Sequence, residues 1–119
     1  LDLHSLILMV PGVYTPSAYK TPFGTAFSEI IRKPGSWEDS DAWSMAANFT
    51  GNLLVIAAQN DAIIPAEIPG KLISSALCAS EKALLTINGA DHNTIWQNVM
   101  RSQVCYEKVC AALGRCLNN

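Results

Sequence analysis

The chain has 119 residues, which is enough for one domain with a hydrophobic core and too few for two ordinary domains. Half of the residues are hydrophobic and 15% are charged, a composition typical of a folded globular protein rather than a disordered one. With 8 Lys and Arg against 10 Asp and Glu, and no basic cluster, the sequence excludes nucleic acid as the expected partner.

The first predicted element is a strand over residues 3–10 (LHSLILMV), which ends at Pro11-Gly12. Its residues are continuously apolar rather than alternating, which favours a strand buried on both faces. The apolar run over residues 5–13 is about half as long as a bilayer crossing requires. We therefore expect no membrane span, and no targeting segment is recognisable.

Residues 15–48 predict an irregular excursion, because prolines and glycines punctuate them. Only residues 26–33 have a helical pattern in the first part of this segment. Further along, Ser40 and Asp41 are suited to cap a short helix that runs to Asn48, since their side-chain oxygens can accept the free amides of its first turn.

The next three elements are a strand, a helix and a strand. Residues 53–58 and 83–87 are short apolar strands, and the segment between them has helical spacing at Ile68, Leu72, Ile73, Ala76 and Leu77. Strands that alternate with helices in this way indicate a three-layer α/β fold, with a parallel sheet of about three strands covered by helices on both faces.

Residues 94–113 predict one long amphipathic helix that ends at Gly114. Its apolar stripe would consist of Trp96, Val99, Gln103, Tyr106, Cys110 and Leu113. The spacing of the four cysteines, Cys78, Cys105, Cys110 and Cys116, matches no zinc pattern, so we expect buried or half-buried free thiols. Free thiols favour a reducing compartment and hence a cytoplasmic location.

Two polar side chains follow consecutive predicted strands. Asp61 comes after the run NLLVIAAQN, and His92 comes after ALLTINGAD. Because the carboxyl ends of parallel strands meet at one edge of a sheet, and neighbouring strands lie about 4.8 Å apart, the two side chains can meet there. A carboxylate that holds an imidazole through Nδ1 is the acid and base part of a catalytic triad.

Each of these residues also has an ordinary structural interpretation. An Asp at a strand end is usually a turn or capping residue, and a lone His after a turn is more often structural than catalytic. Asp91 competes with Asp61 for the acid role. We interpret Asp91 as a loop or cap residue, because the side chains of adjacent residues point apart.

The segments LLVIAAQNDAIIP and LLTINGADHN resemble the C-terminal half of the α/β-hydrolase superfamily. In that superfamily the acid follows the penultimate core strand and the histidine follows the last one, which implies catalytic roles for Asp61 and His92. The excursion over residues 15–48 resembles the cap or lid of the same family. The resemblance covers essentially the whole chain, residues 1–119, and it implies an ester or acyl hydrolase without a cofactor or metal.

One part of the family pattern is missing. The nucleophile of these enzymes lies in a G-x-S-x-G turn, and no serine or cysteine of this chain has glycines two before and two after it. We therefore expect a C-terminal fragment of a serine hydrolase whose serine lies upstream, and expect this fragment alone to be inactive. The alternative is a non-catalytic α/β-hydrolase-like binding module.

The resemblance also suggests partners. A small ester or acyl substrate would lie against the aromatic residues of the excursion, Tyr14, Tyr19, Phe23, Phe27, Trp37 and Trp43, although these residues can equally pack the excursion onto the core. The strand over residues 3–10 would have an unpaired edge if the nucleophile strand is absent. Such an edge recruits another chain, so we expect a homodimer.

Overall fold

In a computed structural model of the protein, residues 3–118 form a three-stranded sheet with helices on both sides. Residues 1, 2 and 119, which the predicted domain includes, lie outside the described part. The strands are β1 (Ser5–Met9), β2 (Asn52–Ala58) and β3 (Glu81–Ile87); the helices are α1 (Thr25–Arg32), α2 (Ala42–Asn48), α3 (Glu67–Ser75), α4 (Ile95–Arg101) and α5 (Gln103–Asn118), with a 3-10 helix at Pro16–Lys20.

The sheet is parallel throughout and has the order β1-β2-β3. Leu54 of β2 is flanked by Ile7 on one side and Ala83 on the other. All seven residues of β2 are buried, as expected for a central strand covered on both faces. The predicted α/β class with a three-stranded parallel sheet is therefore confirmed.

The alternation of side chains along β2 divides the core into two halves. Leu54 and Ile56 lie on the face that packs against α4 and α5, and Leu53 and Val55 lie on the face that packs against α3. Each of these residues is at most 4% exposed. Burial of one such side chain contributes roughly 1.5–3 kcal/mol, so β2 is the main source of apolar stabilisation.

The two outer strands are less buried than their sequences predict. All five residues of β1 are half-buried, and five of the seven residues of β3 are exposed, including Leu84 at 44%. The prediction that the first strand is buried on both faces is therefore wrong. In the described part of the chain β1 and β3 are edge strands, and the helices cover mainly the centre of the sheet.

The predicted helix over residues 94–113 is interrupted. Ser102 is extended (φ −121°, ψ 116°), and its hydroxyl accepts a hydrogen bond from Cys105 N at 3.2 Å, which caps α5. The interruption resets the helical phase, so the predicted stripe is correct for Val99 and Leu113 and wrong for its other four members, which are exposed. Trp96 and Tyr106 are 54% and 44% exposed, whereas the buried residues are Ile95, Val99, Val109, Ala112 and Cys116.

Residues 15–48 contain the two predicted helices as α1 and α2, together with the unpredicted 3-10 helix. The Ser40 hydroxyl accepts a hydrogen bond from Ala42 N, as expected of a cap, while the Asp41 side chain caps nothing. Trp37 and Trp43 pack edge to face, and Lys71 of α3 lies 4.6 Å from the ring centre of Trp43. This cation–π contact joins the excursion to the core.

The other aromatic residues of the excursion do not all pack against the core. Phe23 is 90% exposed and Tyr19 is 59% exposed, so neither one joins the excursion to the core. The four cysteines are free, as predicted, but only Cys105 and Cys116 have the predicted burial, since Cys78 and Cys110 are exposed. None of the helices within residues 3–118 is long and apolar enough to cross a membrane.

A polar cluster fastens the end of α5 to the amino-terminal edge of the sheet. Asn52, which is 2% exposed, donates from Nδ2 to the carbonyl of Cys116 at 3.0 Å, and the Ser5 hydroxyl donates to the same carbonyl. These bonds satisfy a carbonyl in the last turn of α5. They also explain why α5 continues through Gly114, where the sequence predicts a stop.

We expect Asn52→Ala to lower the free energy of unfolding by about 1–2 kcal/mol, because it removes a buried hydrogen bond and leaves a small void. Asn48→Ala is the matched control, since Asn48 Nδ2 makes an exposed bond to Ser44 O at 2.9 Å. Its effect should stay within about 0.5 kcal/mol. Urea unfolding measures both changes; equal effects would contradict a special role for Asn52.

Candidate active site

The structure brings the two predicted site residues together at the carboxyl edge of the sheet. Asp61 follows the end of β2, His92 follows the end of β3, and Asp61 Oδ2 lies 3.1 Å from His92 Nδ1. The side chain of Asp61 is 10% exposed and that of His92 is 26% exposed. The expected juxtaposition is therefore present, while the catalytic role of the pair stays a prediction.

Hydrogen bonds between the two loops hold this geometry. Gln59 N donates to Ile87 O at 3.1 Å and Asn60 N donates to Ala90 O at 2.8 Å, so pairing continues beyond the strands. The side chain of Gln59 adds a third link, because its Oε1 accepts from Gly89 N at 2.8 Å. The positions of Asp61 and His92 therefore depend on the β2–β3 register.

The tight turn after β3 depends on Gly89. Its φ is +75°, in the left-handed region that glycine adopts at little cost. The turn delivers Ala90, which is 0% exposed and lies two residues before His92, into the core. A buried residue next to the loop tip restricts where the imidazole can lie.

The two carboxylate oxygens of Asp61 have different tasks. Oδ1 accepts hydrogen bonds from the amides of Ile63 (2.9 Å) and Ile64 (2.8 Å), and Oδ2 faces His92. The first set of bonds is the turn-forming role that is common for an Asp at a strand end. Asp61 is thus a turn residue and a histidine partner at once, and its turn bonds fix the orientation of the second oxygen.

The environment of Asp61 favours its charged form. Burial raises the pKa of Asp61. Hydrogen bonds from the Ile64 amide, His92 and the Ile63 amide, together with the charge of His92, lower this pKa by a larger amount. The net result is a pKa below the ordinary value of 3.8. Asp61 is therefore an acceptor near neutral pH.

An ionised Asp61 determines the tautomer of His92. A carboxylate can only accept, so the proton of the 3.1 Å bond belongs to His92 Nδ1. In the neutral ring the lone pair then lies on Nε2, and no residue within 3–118 hydrogen-bonds that atom. The arrangement presents a half-exposed base, oriented by a carboxylate on its far side.

Asp91 has the structural role that the sequence suggests. Its Oδ1 accepts from Asn93 N at 2.8 Å, from Thr94 N at 2.9 Å and from the Thr94 hydroxyl at 3.0 Å. The amide of Asn93 and the hydrogen bonds of Thr94 lower the pKa of Asp91, which lies in an exposed loop. Asp91 fixes the turn around His92 and leads the chain into α4.

The carboxyl end of β1 reaches the same edge of the sheet. Val10 follows β1 with φ +42°, an uncommon conformation for a β-branched residue, and its amide bonds Ile56 O at 2.8 Å. Backbone strain of this kind costs on the order of 1–3 kcal/mol and concentrates at functional sites. Val10 and Asp61 both line a cleft of about 260 Å³, which we call the acid cleft.

A larger cleft lies between the excursion and the loop after Asp61. This cap cleft has a volume of about 440 Å³ and is lined by residues 12–14, 31–35, Trp37, 62–65 and Ile68. Its volume is in the usual range for small-molecule sites. Of the six aromatic residues expected to line a pocket, only Tyr14 and Trp37 do so here.

The described residues supply no partner for His92 Nε2. No serine or cysteine within residues 3–118 hydrogen-bonds the imidazole, in agreement with the absence of a G-x-S-x-G turn. The same part of the chain contains no group of three or more His, Cys, Asp or Glu placed to hold a metal ion. The site consists of an acid, a base and two neighbouring clefts.

Comparison with known proteins does not assign the chain to a family. No protein-family model matches it, and no curated protein is significantly similar to it. The functional interpretation therefore depends on the geometry of the site.

Several residues that build the site are not evident from the sequence. The Asx turn from Asp61 to Ile63 and Ile64 has a detectable signal, because an Asp that follows a strand commonly accepts amides two and three residues further on. The Gln59 link to Gly89 and the strained Val10 have no such signal. Both depend on which strands are neighbours and on where their loops meet.

We expect Asp61→Asn to change the pH dependence of stability. Because the folded-state pKa of Asp61 is lowered, its charge contributes stability that is fully present above about pH 3.8 and is lost as the pH falls through the folded pKa. The variant should be less stable by about 1 kcal/mol near pH 7, and this difference should shrink in acid. Urea unfolding from pH 2.5 to pH 7 measures it.

Asp41→Asn is the control, since the Asp41 side chain forms no capping bond. At pH 7 its free energy of unfolding should stay within about 0.5 kcal/mol of that of the unmodified protein. A stability difference for Asp61→Asn that stays constant down to pH 2.5 would contradict the interpretation.

Proposed function

We propose that Asp61 and His92 are the acid and base of a Ser-His-Asp triad that hydrolyses an ester or acyl bond. The observation that carries the proposal is the bond of 3.1 Å between Asp61 Oδ2 and His92 Nδ1, at the carboxyl edge of a parallel α/β sheet. The strained Val10 and the adjacent clefts support a functional edge. The resemblance to the C-terminal half of α/β-hydrolases agrees with this position of acid and base.

In the proposed mechanism His92 Nε2 removes the proton of a serine hydroxyl as the hydroxyl attacks the substrate carbonyl. The same nitrogen then gives that proton to the leaving group. Asp61 holds Nδ1–H and stabilises the imidazolium that forms between the two transfers. The ester or acyl substrate, a small molecule, occupies the acid cleft or the cap cleft, which both lie next to the dyad.

We propose that the serine and the oxyanion donors lie outside these 119 residues. An acid and base without them lose most of the rate enhancement, so this chain alone should not turn over esters by the triad route. The second candidate is a non-catalytic α/β-hydrolase-like binding module, favoured because no serine or cysteine within residues 3–118 hydrogen-bonds His92. Activity of a polypeptide that joins this chain to a G-x-S-x-G segment distinguishes the two.

In such a polypeptide we expect His92→Ala to lower kcat by about 10²–10⁴-fold on short and long acyl esters, because the general base is lost. His4→Ala is the matched control, since His4 is exposed and lies near the opposite end of the sheet. It should retain full activity. Undiminished turnover by His92→Ala would remove His92 from the mechanism. No turnover by the unmodified joined polypeptide would favour the binding module.

We also propose that the chain by itself self-associates through the outer edge of β1. Within residues 3–118 this strand pairs only with β2, and four of its five residues are apolar. An unpaired apolar edge recruits another strand. Light scattering over a range of concentrations should give the mass of a dimer; a strictly monomeric species in dilute solution would contradict the proposal.

A further inference from the structure

The cap cleft combines an apolar lining with two cations. Ile31, Ile63 and Ile64 are among its apolar residues, and Arg32 and Lys33 lie at the end of α1 on one side of it. Arg32 and Lys33 are exposed, so their charges are at the solvent side rather than in the apolar interior. The cleft is therefore amphipathic.

Neither cation is neutralised within the described part of the chain. No carboxylate of residues 3–118 forms an ion pair with Arg32 or Lys33. The carboxylate of Glu38 lies beside Gly35, another residue of the cleft. Both cations remain available to a ligand, and the charge of Glu38 opposes an anion there.

Part of the lining of the cleft is connected to the dyad. Residues 62–65 belong to this lining, and the amides of Ile63 and Ile64 donate to Asp61 Oδ1 at 2.9 and 2.8 Å. A ligand in the cap cleft therefore contacts the same short loop that orients His92. The lining of the cleft therefore includes both the loop that follows Asp61 and the positive charges of Arg32 and Lys33.

We propose that the substrate is an ester with a short apolar chain that ends in an anionic group, either a carboxylate or a phosphate. The inference depends on the proposed function and specifies its substrate class. The apolar chain occupies the cap cleft, the ester lies toward the Asp61 loop, and the anion lies at Arg32 and Lys33. These two residues determine specificity and take no part in the chemical step.

The charge preference is of moderate size. Exposed ion pairs are individually weak and are screened by salt, so two of them give a preference of about 5-fold at low ionic strength. The preference should disappear near 1 M salt, where the Debye length falls to about 3 Å.

The test is a binding measurement on the full chain, which needs no nucleophile. Calorimetric titration compares three probes: monomethyl adipate, with a free carboxylate; dimethyl adipate, the neutral counterpart; and the methyl ester of 6-phosphonooxyhexanoic acid. We expect both anionic probes to bind about 5-fold more tightly than the neutral probe at low salt. If the phosphate probe binds much more tightly than the carboxylate probe, phosphate is the natural anionic group. If the two anionic probes bind equally tightly and better than the neutral probe, the proposed anionic class is supported.

Two double variants distinguish anion binding in the cap cleft from a general effect of surface charge. Arg32→Gln with Lys33→Gln should abolish the preference and leave the affinity for the neutral probe unchanged. Lys20→Gln with Lys108→Gln makes the same change in net charge at exposed positions outside the cleft and should keep the preference. Glu38→Gln should increase the affinity for both anionic probes about 2-fold, since it removes the opposing charge.

Equal affinity of all three probes for the unmodified chain would overturn the proposal, and so would an equal loss of preference in the two double variants. These results are independent of the dyad. If His92→Ala retains activity while the anion preference persists, the triad fails and the anion site stands. If the preference is absent while His92→Ala abolishes activity, only the substrate class is wrong.

Discussion

The parallel pairing of β2 with β3 is the constraint on which the site depends. It continues past the strands through the bonds of Gln59 and Asn60 to the loop after β3, and Gly89 closes that loop onto Gln59. A shift of register by one residue would turn every side chain of the shifted strand to the opposite face and separate these loops. The distance of 3.1 Å between Asp61 and His92 is thus a consequence of sheet register.

The stability of the fold and the chemistry of the site come from different parts of the same strand. The body of β2 is completely buried between two helical layers, which fixes its direction and register. Its tip carries Asp61, where turn amides and an imidazole offset the desolvation of the charge. A rigid apolar strand that ends in a polar loop can place a carboxylate accurately, because the strand itself has little freedom to move.

The excursion over residues 15–48 contributes shape and charge rather than core. Trp37 and Trp43, with Lys71 over their rings, attach it to α3, whereas α1 has no buried residue. This loose attachment leaves the cap cleft open, with apolar and cationic groups around it. Sites of this composition suit amphipathic small molecules, since apolar area supplies affinity and a few charges supply orientation.

The sequence alone determined the class of fold, the three strands, and the candidate pair of Asp61 and His92. These follow from local hydrophobic runs and from the rule that parallel strands share an exit edge. Only the tertiary structure decided the interruption at Ser102, the exposure of β3 and Trp96, and the continuation of α5 through Gly114. Helical periodicity is local, but the face that is buried depends on distant partners, such as the Asn52 side chain that binds the carbonyl of Cys116. For the same reason the Gln59 bond and the cationic side of the cap cleft, which join segments distant in sequence, could not be predicted.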